Sequence, residues 1–102
     1  MVYRFRTELW VHAGDTPWYF VTLPTEQADE IDELTFETKR GFGSVRVIVT
    51  IGETTWKTSL FPDSKRESYV LPIKKLVRVR ESLTIGAPVD VSLELEQLNS
   101  AS

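Results

Sequence analysis

The stretch that decides the fold is SVRVIVTIGETTWKTSLF, residues 44–61. Two β-rich runs flank Gly52-Glu53, and this pattern predicts two strands joined by a two-residue turn. Counting outward from the turn gives the register. The predicted pairs are Ile51–Thr54, Thr50–Thr55, Val49–Trp56, Ile48–Lys57, Val47–Thr58, Arg46–Ser59 and Val45–Leu60. One face of this hairpin is therefore apolar, and the other carries Arg46 and Lys57.

Further strands and two short helices are predicted on both sides of the hairpin. Residues 3–11 and 89–97 alternate between apolar and polar side chains, which is the period of a half-buried strand. Pro24 ends an aromatic and β-branched run, and Thr25 is the expected N-cap of a helix. The predicted strands are residues 3–11, 18–23, 44–51, 54–61, 68–71 and 89–97, and the predicted helices are residues 26–34 and 73–82.

Each predicted helix has one apolar stripe that is expected to face the core. The other positions of the first helix are mostly acidic, and those of the second are mostly basic, so both helices have a solvated side. The expected buried residues are Ala28, Ile31 and Leu34 in the first helix, and Ile73, Leu76 and Val77 in the second.

The two halves of the chain repeat one plan of strand, strand, helix and strand. The second strand of each half ends in a Leu-Pro pair, Leu23-Pro24 and Leu71-Pro72. We therefore predict a mainly β fold with two pseudo-twofold ββαβ halves. Because closure removes exposed strand edges, the expected form is a small, closed, six-stranded barrel with two short helices. Residues 1–98 are expected to form one domain, and residues 99–102 a flexible tail.

Composition excludes several classes of protein. The 102 residues include no cysteine and one histidine, so neither a disulfide framework nor a His-rich metal site is expected. The chain has no apolar run long enough to span a bilayer, and its first residues lack the apolar core of a signal peptide. The prediction is a cytoplasmic protein with no cofactor and no membrane contact.

The net charge of −3 hides a segregated pattern. Residues 39–80 carry ten basic and three acidic side chains, whereas residues 1–38 and 81–102 carry net charges of −6 and −4. Either the opposite charges fold against one another, or the basic middle forms a local anion-binding face.

One polar cluster is a candidate for such a face. Arg46 is predicted opposite Ser59, with Lys57 on the same side of the hairpin, and cross-strand neighbours have Cβ atoms ~5 Å apart. The guanidinium fork suits a carboxylate or a phosphate, and Tyr69 or Trp18 is placed to add a stacking wall. The candidate ligand-binding residues are Arg46, Lys57, Ser59, Tyr69, Lys74 and Arg78.

A structural interpretation of the same residues competes with this one. Arg46 also has acidic neighbours, Glu94 and Glu96, on the predicted outer face of the sheet, and an ion pair with either would occupy it. His12 lies at a strand end with no nucleophile beside it, so it is interpreted as a surface histidine. No residue is predicted to be catalytic.

Four segments resemble a known family of small bacterial proteins, the domain of unknown function 1905. They are RGFGSVRV at residues 40–47, WKTSLFP at 56–62, YVLPIKK at 69–75 and WYFVTLP at 18–24. The resemblance covers nearly the whole chain. It departs at Gly86-Ala87-Pro88, where the family usually has Gly-Asp.

The resemblance implies a double-split β-barrel closed within one chain, and it implies no catalytic residue. Barrels of this type that are built from two chains occur in DNA-binding antitoxins and transition-state regulators, which is an analogy of fold alone. The sequence therefore predicts a non-enzymatic module, a monomer or weak homodimer, that binds an anionic small molecule or another protein. The alternative is a DNA-binding regulator, although the acidic composition makes nucleic acid the less expected partner.

Overall fold

The computed structural model describes residues 2–37 and 43–96. The predicted tail at residues 99–102, and residues 38–42 of the long connection before the hairpin, lie outside this range. The secondary structure is mainly β. In chain order the elements are β1 (Val2–Glu8), β2 (Trp10–His12), β3 (Trp18–Thr22), α1 (Thr25–Leu34), β4 (Val45–Ile51), β5 (Thr54–Asp63), β6 (Ser68–Pro72), α2 (Lys75–Arg80) and β7 (Pro88–Leu95).

All seven strands belong to one antiparallel sheet with the order β1-β7-β4-β5-β6-β3-β2. The hairpin of β4 and β5 forms at its centre, and all seven predicted residue pairs are confirmed. The turn favours glycine, because Gly52 has a φ of +59° that side-chain-bearing residues rarely adopt.

The sheet is an open half-barrel of seven strands, so the prediction of six strands closed into a barrel is not confirmed. The predicted first strand divides at Leu9, which forms an isolated bridge with Ile85. Residues before Leu9 pair with β7, and residues after it pair with β3. One residue cannot reverse the chain direction, so β1 and β2 cannot pair with each other. They are therefore the two edges of the sheet among the described residues.

The strand pairings agree with the predicted repeat, because each pairing remains when the strands of one half are exchanged for the equivalent strands of the other. β5 pairs with β4 through its first part and with β6 through its last three residues, just as the β1–β2 segment pairs with β7 and then β3. The pairing of β4 with β7 and that of β3 with β6 each join equivalent strands of the two halves. Two long segments thus cross from one half of the sheet to the other.

The core is formed by the alternate residues that the period of two predicted. These are Val45, Val47, Val49, Ile51 and Leu60 of the hairpin and Val89, Val91, Leu93 and Leu95 of β7. Burial of this face is the main source of stability, because it removes a large apolar area from water.

The two helices differ in detail from the predictions. Pro24, not Thr25, is the N-cap of α1, since the Pro24 carbonyl already accepts from the Ala28 N–H at 3.0 Å. Helix α2 is shorter than predicted because Ile73 is still extended beside β3. In the apolar stripes Leu34 and Leu76 are 41% and 54% exposed, whereas the other four residues are buried.

Candidate functional site

The most distinctive feature of the surface is the place where β5 and β6 separate. Their ladder ends at Phe61 and Val70. The opposite edge of β6 stays with β3 beyond this point, since Pro72 pairs with Phe20 and the Ile73 N–H donates to the Tyr19 carbonyl at 2.8 Å. Because proline has no N–H to donate, the chain has little to hold it against β5 at this point.

A cleft of about 420 Å³ lies at this separation, and we call it the β5–β6 cleft. Continuing the register of the ladder by counting would place Thr58 opposite Ile73 and Lys57 opposite Lys74. These four residues do not pair with one another across β5 and β6, and they line the cleft. The lining consists of Thr16, Pro17, Trp18, Tyr19, Trp56, Lys57, Thr58, Pro72, Ile73, Lys74 and Arg78.

The lining combines positive charge with aromatic surface. Its charged residues are Lys57, Lys74 and Arg78, and the described part of the chain contributes no carboxylate to it. Its aromatic residues are Trp18, Tyr19 and Trp56. A mostly apolar concave surface with a few convergent polar groups is typical of a small-molecule site.

Arg78 of α2 lines the cleft and makes an aromatic contact there. Its Cζ lies 3.6 Å from the centroid of the Tyr19 ring, within the range of a cation–π interaction. Its Nε is buried and has no acceptor among the described residues. A guanidinium that stacks on a ring keeps its N–H groups in its own plane, where they can donate to a carboxylate or phosphate.

Trp18 also lines the cleft and is braced by neighbouring rings. Trp18 and Phe20 are stacked with centroids 6.4 Å apart, and Phe20 lies 5.0 Å from Trp10. Trp10 is fixed in turn, because its Nε1 donates to the Thr22 Oγ1 at 2.8 Å and the Arg66 Cζ lies 3.9 Å from its ring centroid. Trp18 nevertheless remains 57% exposed.

Arg46 and Ser59 form a cluster of their own outside the lining of the cleft. The Arg46 Nη1 donates to the Ser59 Oγ at 3.1 Å, as the register predicted. The Arg46 Nε lies 3.6 Å from a carboxylate oxygen of Glu96, and the Lys57 Nζ lies 3.5 Å from the other. The competing interpretation, an ion pair between Arg46 and Glu96, is therefore what the structure shows, and Lys57 links this cluster to the cleft.

Tyr69, another of the predicted ligand-binding residues, makes its contacts away from the β5–β6 cleft. Its hydroxyl donates to the Asp32 Oδ1 at 3.1 Å, and it lines a different hollow beside α1. Burial raises the pKa of Tyr69 above that of a free phenol. Of the six predicted residues, Lys57, Lys74 and Arg78 thus line the β5–β6 cleft, and Arg46, Ser59 and Tyr69 lie outside its lining.

Sequence reasoning missed two aromatic walls of the cleft, Tyr19 and Trp56. The register placed Trp56 on the core face, where it packs only in part. Tyr19 carried no signal beyond its place in an aromatic run. Only the departure of β6 from β5 exposes both residues to one cavity.

Other kinds of site find no support within residues 2–37 and 43–96. No group of three or more His, Asp or Glu side chains is placed there to hold a metal ion. His12 is exposed at the end of β2, opposite Trp18. None of the described helices has the length and apolar character needed to cross a membrane.

Comparison with known proteins gives one match. The family model described as "Domain of unknown function (DUF1905)" matches residues 5–93, which include every strand that contributes to the cleft. No curated protein matches the chain.

Proposed function

The chain belongs to the DUF1905 family, and we propose that it is a non-enzymatic binding module whose β5–β6 cleft holds a small anionic molecule. One observation carries the proposal: Lys57, Lys74 and Arg78 share a cleft to which the described residues contribute no carboxylate. Lys57 is partly compensated by Glu96 outside the lining, whereas Lys74 and Arg78 have no ion-pair partner among the described residues. Neighbouring cations repel one another, and an anion between them removes that repulsion.

The aromatic residues of the lining support a ligand that also has an apolar part. Trp18 and Trp56 present large rings to the same cavity as the cations. Burial of an apolar group against these rings adds a hydrophobic contribution that a simple inorganic ion cannot make. The expected ligand is therefore an organic anion rather than a small inorganic one.

DNA binding, the alternative, has less support from the surface of α2. Lys74, Lys75 and Arg80 provide cations there, but Leu76 and Val79 are exposed on the same helix, Val79 by 68%. With a net charge of −3, the long-range field does not favour a polyanion. Cytoplasmic location and a monomer or weak homodimer remain predictions.

The proposal is tested by binding of two matched pairs of probes, benzoate with benzamide and adenosine 5′-monophosphate with adenosine. A ligand that binds the folded chain raises its apparent melting temperature. We expect at least one anionic probe to raise it at millimolar concentration and its neutral partner to have a smaller effect. Tryptophan fluorescence gives an independent titration, because Trp18 and Trp56 line the cleft.

Two adjacent lysines provide a matched pair of variants. Lys74 lines the cleft, and Lys75, which is also exposed, does not. Lys74→Gln is expected to weaken binding of the anionic probe several-fold, and Lys75→Gln to leave it unchanged. Equal effects of the two variants, or no binding of either anion, would overturn the proposal. A DNA duplex that is retarded in a gel at 50 mM salt and released at higher salt would favour the alternative instead.

A further inference from the structure

We infer that the ligand of the β5–β6 cleft is a nucleoside monophosphate, with the phosphate at Lys74 and Arg78 and the base against Trp18. This inference rests on the proposed function and narrows its ligand class. It follows from three properties of the cleft: the amount of charge, the kind of apolar wall and the size.

The charge in the cleft matches a doubly charged anion better than a singly charged one. One of its three cations, Lys57, is already paired: its Nζ lies 3.5 Å from the Glu96 carboxylate, which also contacts Arg46. Lys74 and Arg78 have no ion-pair partner among residues 2–37 and 43–96. Two uncompensated cations favour a phosphate monoester, which carries close to two negative charges at neutral pH, over a carboxylate or a phosphodiester, which carry one.

The donors are of the kind that phosphate groups require. Arg78 supplies a planar set of N–H groups whose orientation is set by the Tyr19 ring, 3.6 Å from its Cζ. Lys74 supplies an ammonium group from the extended segment directly before α2. A guanidinium held in place by stacking loses less conformational freedom on binding than a freely rotating one.

The apolar wall is suited to a flat ring. Trp18 is 57% exposed, yet it is braced against Phe20 with an interplanar angle of 16°, so its orientation is set before any ligand arrives. Nucleobases stack on aromatic side chains because every base has a π-face. The hydroxyls of Thr16 and Thr58, which also line the cleft, are available to a sugar between the base and the phosphate.

The volume of the cleft exceeds what an anion smaller than a nucleotide would fill. Its volume of about 420 Å³ lies in the range of sites that hold drug-sized ligands. Inorganic phosphate or benzoate would leave most of the aromatic wall in contact with water. A ring, a sugar and a phosphate in one molecule occupy both the aromatic and the cationic part.

Calorimetric titration of the whole chain at pH 7.5 tests the inference. It compares a nucleoside monophosphate with ligands that lack its phosphate, its base or its second negative charge. The probes are adenosine 5′-monophosphate, adenosine, ribose 5-phosphate, 3′,5′-cyclic adenosine monophosphate, which has a singly charged phosphodiester, and benzoate. We expect the monophosphate to bind at least tenfold more tightly than each of the others. Trp18→Ala is expected to reduce its affinity to that of ribose 5-phosphate, and Lys74→Gln to that of adenosine, whereas Lys75→Gln leaves it unchanged.

The outcomes separate this inference from the function on which it rests. If benzoate or the cyclic phosphodiester binds as tightly as the monophosphate, the ligand class is wrong and the anion-binding function stands. If a single-stranded oligonucleotide binds more tightly than the monophosphate, the ligand class is again wrong, and the partner is a nucleic acid. If no anion binds, both the inference and the proposed function are overturned.

Discussion

The Arg78 guanidinium lies over the Tyr19 ring, with 3.6 Å between its Cζ and the ring centroid. This contact joins α2 to β3, two elements that are far apart in the sequence and meet at the β5–β6 cleft. It fixes the orientation of a cation whose Nε has no acceptor among the described residues. The stability of the fold and the shape of the candidate site therefore depend on the same ring.

Replacement of that ring is expected to affect both properties together. Tyr19→Leu removes the cation–π contact but retains an apolar side chain, so we expect the free energy of unfolding to fall by about 1 kcal/mol. Arg78 then loses its fixed orientation, and the affinity for an anionic probe falls as well. Urea unfolding and calorimetric titration measure the two effects. Tyr19→Phe keeps the ring and is expected to retain both; a loss as large as that of Tyr19→Leu would assign the effect to the hydroxyl.

The turn of the central hairpin should tolerate no side chain at its first position. In Gly52→Ala the new Cβ would collide with the Glu81 carboxylate, at a φ of +59°. Glu81 would be displaced from the Thr54 hydroxyl, which donates to it at 2.7 Å. We expect a loss of about 2 kcal/mol in urea unfolding from backbone strain and the broken hydrogen bond. Gly14→Ala, with nothing within 4 Å of the new Cβ, is the control and is expected to be neutral or slightly stabilising.

Truncation of the core should show that the strand faces are assigned correctly. Leu93 of β7 pairs with Tyr3 on one side and Val49 on the other, and it is fully buried. Leu93→Ala is expected to cost about 2–5 kcal/mol through lost burial and the cavity that remains. Val79→Ala, on the exposed side of α2, should change the free energy of unfolding by less than about 0.5 kcal/mol. Similar losses in the two variants would contradict the assignment of the buried face.

The turn between β5 and β6 should contribute stability that is lost in acid. Burial acts to raise the pKa of Asp63, but hydrogen bonds from Arg66 and Lys65 outweigh it, and the net pKa lies below the ordinary value. A carboxylate with a lowered folded pKa stabilises the fold above its unfolded pKa of about 4. That contribution disappears as the pH falls through the lower folded value.

Asp63→Asn tests this pH dependence. We expect it to destabilise the fold at pH 7 by roughly 0.5–1 kcal/mol, and the difference from the natural sequence to shrink in urea unfolding as the pH approaches 3. Asp90→Asn is the comparison, because the hydrogen bond from Arg6 lowers the pKa of Asp90 too, but both side chains are exposed. Its effect should vanish in 0.5 M salt. A difference for Asp63→Asn that stays constant from pH 7 to pH 3 would contradict the ion pair with Arg66.

Much of the sheet was predictable because its signals are local. The side-chain period of two and the two-residue turn at Gly52 were sufficient for every pair of the β4–β5 hairpin. The same period identified the buried face of β7. Leu76 was wrongly placed in the core, because a six-residue helix has room for one inward position per turn and Val77 takes it.

The division of the first strand at Leu9 carried no comparable signal. Residues 3–11 alternate without interruption, so the sequence shows one strand where the sheet has two. The break arises because Leu9 is held by Ile85 and by the Gly86 N–H, which donates to the Leu9 carbonyl at 3.0 Å. Those partners lie more than 70 residues away, beyond the reach of any local pattern.

By itself, the sequence determined the family, the mainly β class, the hairpin register and the buried faces of the hairpin and β7, because each depends on neighbours along the chain or across one tight turn. The tertiary structure alone decided that the sheet stays open and that Lys57, Lys74 and Arg78 meet Trp18, Tyr19 and Trp56 in one cleft. The physical reason is that this cleft exists only where the residues after Val70 stop pairing with β5 while their other edge stays paired with β3. Pro72 and Ile73 are held there by a strand some 50 residues earlier in the chain, which no local pattern shows.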